Sequence, residues 1–269
     1  SRGLCMAWCR HGPNNENNSI AIKKMRLAVF DLDHTLMPLD TGDMWVRWLV
    51  ARSGTDPRPV ASELERFARE YRAGVIDIDD FESFQMRFLS QFRRAFLNVE
   101  LAAYVEAVVE PALPAASRRL VEHYTSMGDE TALCTATYDF VSKAVARVLG
   151  IDFTLAVKPE ENDKGEFTGR LASAPSYSAG KVDYVRAVIK EAADSGEPFE
   201  SVHFYSDSMA DMPLFEFVES LGGTCFAVNP EKKLEALAAE RDWEVLRTFD
   251  AQDLARWKKV AADLMEPRK

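Results

Sequence analysis

The chain has 269 residues, 47% of them hydrophobic, enough to bury one large domain or a core with a smaller insert, and this excludes a disordered chain. A formal net charge of −10 argues against nonspecific binding to nucleic acid or to an anionic membrane, but leaves room for a small anionic substrate at a local cation site. No apolar run is long enough to span a membrane and the four cysteines suggest no disulfide framework, so the expected setting is the cytoplasm, with neither nucleic acid nor membrane as partner.

Residues 1–24 are polar and turn-rich from Gly12 to Asn18 and are expected to be a poorly ordered, dispensable extension, with Met25 as a natural start. Cys5 and Cys9 lie near His11 in a spacing that matches no common zinc pattern. Leu27 to Phe30 is a short apolar run that predicts a buried strand. It stops at Asp31 and Asp33, two acids that alternation points roughly the same way, followed by Thr35. Such a pair is either a capped strand end with solvated acids or a site where a divalent cation or a shared proton relieves the repulsion. Asp-x-Asp-x-Thr-Leu directly after an apolar strand favours the second reading.

Residues 37–43 read as a loop by their Pro, Gly and acids. From Trp45 to about Val109 the pattern is helical throughout. Trp45, Trp48 and Leu49 form one stripe, and Leu64, Phe67 and Tyr71 a second. Phe81, Phe84 and Phe88 form a third, and Leu101, Tyr104 and Val108 a fourth. That predicts a bundle of about four helices. A helix over 115–127 follows, then a strand from Thr131 ending in the hydroxyls of Thr135 and Thr137, and a helix from about Tyr138 to Leu149. Residues 151–172 read as extended pieces around a turn. Lys181 opens a helix, and Phe199 to Tyr205 is a strand ending at Asp207 and Asp211. Thr224 to Val228 and Trp243 to Leu246 are the last strands, each preceded by a helix.

Strands alternating with helices imply an α/β fold with a three-layer, Rossmann-like parallel sheet, in which ligands bind at the carboxyl ends of strands. Asp31/Asp33, Thr135/Thr137 and Asp207/Asp211 all fall at such ends. Three or four carboxylates, hydroxyls and the Lys181 ammonium, with oxygen ligands only, suit Mg2+ and a phosphoryl group.

These segments resemble the four motifs of the haloacid dehalogenase superfamily. Phe30 to Leu36 looks like the first, Leu133-Cys134-Thr135 the second, Lys181 the third and Asp207 to Asp211 the fourth, and the resemblance covers about residues 26–248. The helical insert is similar to the C1-type cap of subfamily IB, the phosphoserine-phosphatase-like group. This divides the chain into a core of residues 25–43 and 111–269 and a helical cap of residues 44–110. The resemblance implies that Asp31 is the nucleophile, forming an aspartyl-phosphate, and that Asp33 protonates the leaving alcohol. It implies that Thr135 holds a phosphate oxygen and that Lys181, ahead of the rivals Lys158 and Lys164, offsets charge. Mg2+ would be held by Asp31, Asp33 through its backbone carbonyl, Asp207 and Asp211. His34, between the motif acids, is given no catalytic role.

Substrate contacts are expected at Asp40, Thr135, Ala136 and Arg87. Phosphoserine phosphatases carry a glutamate where Asp40 stands, nine residues after Asp31, and a cap arginine near Arg87 but one position away. One position turns a helical side chain by about 100°. Histidinol-phosphatases also occur in the subgroup. The implied function is a Mg2+-dependent phosphatase of a small phosphorylated metabolite, phosphoserine-like or an amino-alcohol phosphate such as histidinol phosphate. The alternatives are a phosphotransferase using the same intermediate and a non-catalytic phospho-ligand binder.

Overall fold

The computed structural model describes residues 25–266, so the readings made on residues 1–24, including Cys5, Cys9 and His11, lie outside the described residues. The run before Asp31 forms β1 (Arg26–Phe30), with Leu27, Ala28, Val29 and Phe30 fully buried. A strand covered on both faces has no wet side, which is why this run shows no polar alternation. The chain then becomes helical: α1 (Thr41–Ser53), α2 (Pro57–Ala73), α3 (Ile78–Leu89) and α4 (Arg94–Tyr104). A π-helical turn (Val105–Val109) joins α4 to the short α5 (Glu110–Ala112). It stands beside Pro111, whose missing N–H leaves the Ala107 carbonyl without its usual helical partner.

Helix α1 starts at Thr41, earlier than the Trp45 stripe suggested, because Asp40 caps it: Asp43 N donates to Asp40 Oδ1 at 2.7 Å. Asp56 and Asp77 cap α2 and α3 in the same way. The chain returns through α6 (Ala115–Met127), β2 (Glu130–Cys134), α7 (Asp139–Leu149) and β3 (Phe153–Leu155). Strand β2 stops short of the two hydroxyls, since Thr137 N turns back to donate to Thr135 Oγ1 at 3.1 Å. An antiparallel hairpin of β4 (Pro159–Glu161) and β5 (Phe167–Leu171) follows. Then come α8 (Ala179–Asp194), β6 (Ser201–Ser206), α9 (Met212–Ser220), β7 (Thr224–Val228), α10 (Lys232–Glu240), β8 (Glu244–Leu246) and α11 (Ala251–Asp263).

Six strands form one parallel sheet in the order β3-β2-β1-β6-β7-β8, with Phe30 opposite both Leu133 and Tyr205. Alternate residues of β1 serve two cores. Leu27 and Val29 pack with Val185, Phe204 and Phe215 on one face. Ala28 and Phe30 pack on the other face in a cluster that runs on into Trp45, Leu49, Tyr104 and Val108 of the insert. The molecule is thus a three-layer, Rossmann-like α/β core carrying a helical cap, and cap and core share one buried cluster. Strand order runs outward both ways from β1, which opens a crevice at the carboxyl ends of β1 and β6. Among the described residues, no helix is long and apolar enough to cross a membrane.

Candidate active site

The crevice is built on the turn that follows β1. Leu32 O accepts from Leu36 N at 2.9 Å and from Met37 N at 3.1 Å, which curls the loop tightly. His34 takes a left-handed φ of 62° at its tip. Asn229, after β7, donates to Thr35 O at 3.0 Å and to Thr248 Oγ1 at 2.7 Å, and Thr248 Oγ1 itself donates to Thr35 O at 3.1 Å. Neither Asn229 nor Thr248 was singled out from the sequence, although an Asn-Pro step at the carboxyl end of a strand was a signal.

Within this frame the acids are held by named donors. Lys181 Nζ lies 2.7 Å from Asp31 Oδ1 and 2.8 Å from Asp211 Oδ2, and is almost fully buried. Burial opposes its charge, but Asp211 and Asp31 outweigh that and hold its pKa well above the usual lysine value. Thr35 Oγ1 donates to Asp31 Oδ2 at 2.8 Å and accepts from Asp207 N at 3.1 Å, so it joins the first and fourth strand ends. Ser206 Oγ donates to Asp211 Oδ2 at 2.7 Å. Asp207 lies at the cavity surface, and its carboxyl is raised by desolvation first, then by the charges of Asp31 and Asp211. Lys181 reaches this point from the first turn of α8. Gly180 beside it is required, because a Cβ there would meet Pro175 O at 2.2 Å.

Asp33 is gripped separately. Its Oδ1 accepts from Thr41 N and Thr41 Oγ1, both at 2.7 Å, and its Oδ2 from Thr137 Oγ1 at 2.8 Å. Burial, and more weakly Asp31, push its pKa up to about 6 against those three hydrogen bonds. Sequence reasoning set Thr137 aside in favour of Thr135 and did not see Thr41. Thr135 lies on the same wall, and Ser176 Oγ donates to its carbonyl at 2.7 Å, fixing the loop that also carries Ala136.

The four acids, Lys181, Thr135 and Thr137 line the base of a cavity of about 930 Å3 whose upper walls come from α1, α2, α3 and α11. Asp40 faces the cavity from the α1 cap position. It is exposed to the open cavity, and desolvation first, then Asp33 and Asp43, raise its pKa. Arg87 is a correction. Its side chain is exposed and does not line the cavity, because α3 turns Phe81 and Gln85 inward and Arg87, two residues past Gln85, lies about 200° round the helix. Tyr71 of α2 reaches down to Ser208, with its OH 3.0 Å from Ser208 Oγ, and was not anticipated either.

Asp31, Asp207 and Asp211 face a single ammonium, an excess of negative charge made of hard oxygen donors. That donor chemistry fits a hard divalent cation such as Mg2+. Among the described residues no ligand set is already drawn together, since Lys181 bridges two of the three acids. The chemistry open to the arrangement is nucleophilic attack by a fixed carboxylate beside a carboxyl able to carry a proton.

Residues 28–216 match the model of the haloacid dehalogenase-like hydrolases. A histidinol-phosphatase of Neisseria meningitidis is 30% identical over 220 residues, covering 82% of this chain and 97% of that protein. A Bordetella pertussis protein of unknown function is 33% identical, with a TM-score of 0.76 over 84% of this chain and 100% of the other. A substrate-bound phosphoserine phosphatase shares the fold at 17% identity, with a TM-score of 0.57 over 87% of this chain and 99% of that one.

Proposed function

The chain belongs to the haloacid dehalogenase-like hydrolases, and from that premise we propose a Mg2+-dependent phosphatase that passes the phosphoryl group of a small, amine-bearing phosphomonoester to Asp31 and then to water. The observation that carries this reading is Lys181 Nζ held between Asp31 and Asp211, with Asp33 fixed nearby by three donated hydrogen bonds.

An Asp31 carboxylate oxygen attacks phosphorus as the bond to the ester oxygen breaks. Asp33 gives its proton to the departing oxygen, so the alcohol leaves neutral. Water then attacks the phosphoryl group on Asp31 and loses a proton to Asp33, and inorganic phosphate departs as the bond between phosphorus and the Asp31 oxygen breaks, restoring the carboxylate. A pKa of about 6 lets Asp33 serve as both acid and base near neutrality. Thr41 and Thr137 keep its oxygens aimed. Lys181, Thr135 and the backbone at Ala136 receive the phosphoryl oxygens. Asp31, Asp207, Asp211 and the backbone carbonyl of Asp33 would hold Mg2+, which when bound neutralises charge on those oxygens.

An amine-bearing ester is supported by Asp40 and Asp43 in the wall, by the exposure of Arg87, and by the relative named histidinol-phosphatase. The test is phosphate release from L-phosphoserine, histidinol phosphate and sugar phosphates, with Mg2+ or with EDTA. Release is expected to need Mg2+, to be fastest with histidinol phosphate, and to fall by at least about 10^4-fold in Asp31→Asn. Metal-independent release or full activity of that variant would sink the mechanism.

A further inference from the structure

We infer that the leaving alcohol enters and departs past one side chain, Tyr71 of α2, which latches shut on Ser208 while the cap behind it stays fixed to the core; this rests on the phosphomonoesterase reading above. Tyr71 is 44% exposed and lines the cavity, which places it at the mouth. Its hydroxyl lies 3.0 Å from Ser208 Oγ, and its ring meets the Tyr177 ring edge-on with centroids 6.3 Å apart. Ser208 follows Asp207 directly, and Tyr177 lies four residues before Lys181. Tyr71 therefore reaches from the cap to both loops that carry the phosphoryl machinery. Ser208 Oγ is itself held, since it accepts from Ala210 N at 3.1 Å, so the latch closes on a fixed point.

Along α3 and α4 the cap is fastened to the core. Gly169 of β5 brings the hairpin backbone against the end of α3: a Cβ there would meet Ser90 Oγ at 3.0 Å, Ser90 Cβ at 3.5 Å and Arg87 Cα at 3.9 Å. Arg94, at the start of α4, donates from its backbone N to Glu166 Oε2 at 2.7 Å and from Nη1 to Glu161 Oε1 at 2.8 Å. Its guanidinium lies 4.2 Å from the centre of the Phe167 ring. Phe167 in turn packs edge-on against Phe140 of α7, with centroids 5.3 Å apart, which ties the hairpin to the core. A swing of the whole cap would break these contacts and wet the buried cluster that cap and core share. Among the described residues, α2 makes one hydrogen bond to the core, the one between Tyr71 and Ser208. Gly74 ends α2 three residues further on at a φ of 69°, with no atom within 4 Å of the place a Cβ would take, so the last turn has room to shift. Opening the latch costs one neutral hydrogen bond and a ring contact, whereas swinging the cap costs an interface.

The experiment follows phenyl phosphate with Mg2+ in the full-length chain, in an Asp31→Asn background that does not depend on turnover. Release is measured by phosphorus NMR exchange and affinity by calorimetry. Tyr71→Phe keeps the ring and removes the latch. Release is expected to rise by about 2- to 10-fold, the worth of one neutral hydrogen bond, and entry by the same factor, so that affinity is unchanged. Ser208→Ala has the same effect, and the two changes together add nothing further. Ser90→Cys with Gly169→Cys, in a chain carrying Cys5→Ser and Cys9→Ser, sets two Cβ atoms close enough for a disulfide between α3 and β5. Release from the oxidised form is expected to match that from the reduced form, which controls for folding. The inference is overturned if Tyr71→Phe loses affinity with entry unchanged, if its release rate does not change, if the oxidised bridge slows release and reduction restores it, or if phenyl phosphate does not bind. A wild type that frees no phosphate from any ester, while the exchange rates behave as expected, overturns the phosphatase reading alone.

Discussion

At the carboxyl ends of β1 and β6 the buried acids are each held by donors from the chain, whereas the inner face of α3 buries polar atoms that the chain leaves alone. Asp31 and Asp211 share Lys181, Thr35 ties Asp31 to Asp207, and Thr41 and Thr137 hold Asp33. On α3, both carboxyl oxygens of Glu82 and Oε1 of Gln85 have no partner among the described residues. The first arrangement is preorganised: its carboxylates are aimed by fixed donors before any substrate arrives, so little reorganisation is left for the reaction. The second lowers stability, and it belongs to the helical cap. Removing a group from the first should therefore cost stability or rate. Removing one from the second should raise stability.

The largest effect is expected where compensation is broken outright. Lys181→Met leaves Asp31 and Asp211 buried without their shared cation, and unpairing a buried ion pair costs about 3–5 kcal/mol. Urea unfolding in EDTA should report that loss, and added Mg2+ should restore part of it by taking over the compensation. A variant as stable as wild type in EDTA would mean that the acids are neutral in the fold, and the preorganised side of the contrast would fall.

Next is Asp33→Asn, which keeps the shape but carries no proton. Loss of a general acid–base group is worth roughly 10^2- to 10^4-fold in rate. The loss in the first step should shrink for p-nitrophenyl phosphate, whose alcohol leaves without help. Phosphate should then be trapped on the protein after an acid quench, because the water step still lacks its base. Equal loss on alkyl and nitrophenyl esters, with no trapped phosphate, would point to a distorted site and not to a missing proton carrier.

The contrast also explains what was legible in the sequence. Asp31, Asp33, Asp207 and Asp211 stand directly after strands, and a parallel sheet delivers every strand end to one edge, so local apolar runs were enough to bring them together. Lys181 was legible only through its resemblance to a motif, since nothing local marks it off from a solvated helix-start lysine. The cap was legible as helices and not as a surface. Which α3 residue enters the cavity depends on helix phase and on how α3 packs against β5, both set by long-range packing, whereas Arg87 was named only because the resemblance implies a cap arginine nearby. Thr41 and Thr137 were missed for the same reason. They lie 8 and 104 residues from Asp33, and their hydroxyls meet it only once the loop after β1 and the end of β2 are packed side by side.

The smallest expected effect tests the uncompensated side. Glu82 is fully buried with neither oxygen paired, and burial first, then the charge of Asp79, push its pKa from 4.5 up to about 8. The folded chain therefore holds a proton on Glu82 that the unfolded chain releases above about pH 4.5. Stability from that difference is complete below pH 4.5 and is lost as pH climbs through about 8. Glu82→Leu removes both the unpaired oxygens and the titration. It should stabilise the protein by about 1–3 kcal/mol at neutral pH, because replacing an unsatisfied buried polar group with an apolar one of similar size recovers its desolvation cost. The gain in melting temperature over wild type should widen steadily from pH 5 to pH 8.5 and then level off, once Glu82 is ionised in both states of the wild type. A gain that stays flat with pH would mean that the carboxyl finds a hydrogen-bond partner in solution, and the inner face of α3 would then be compensated like the strand ends below it.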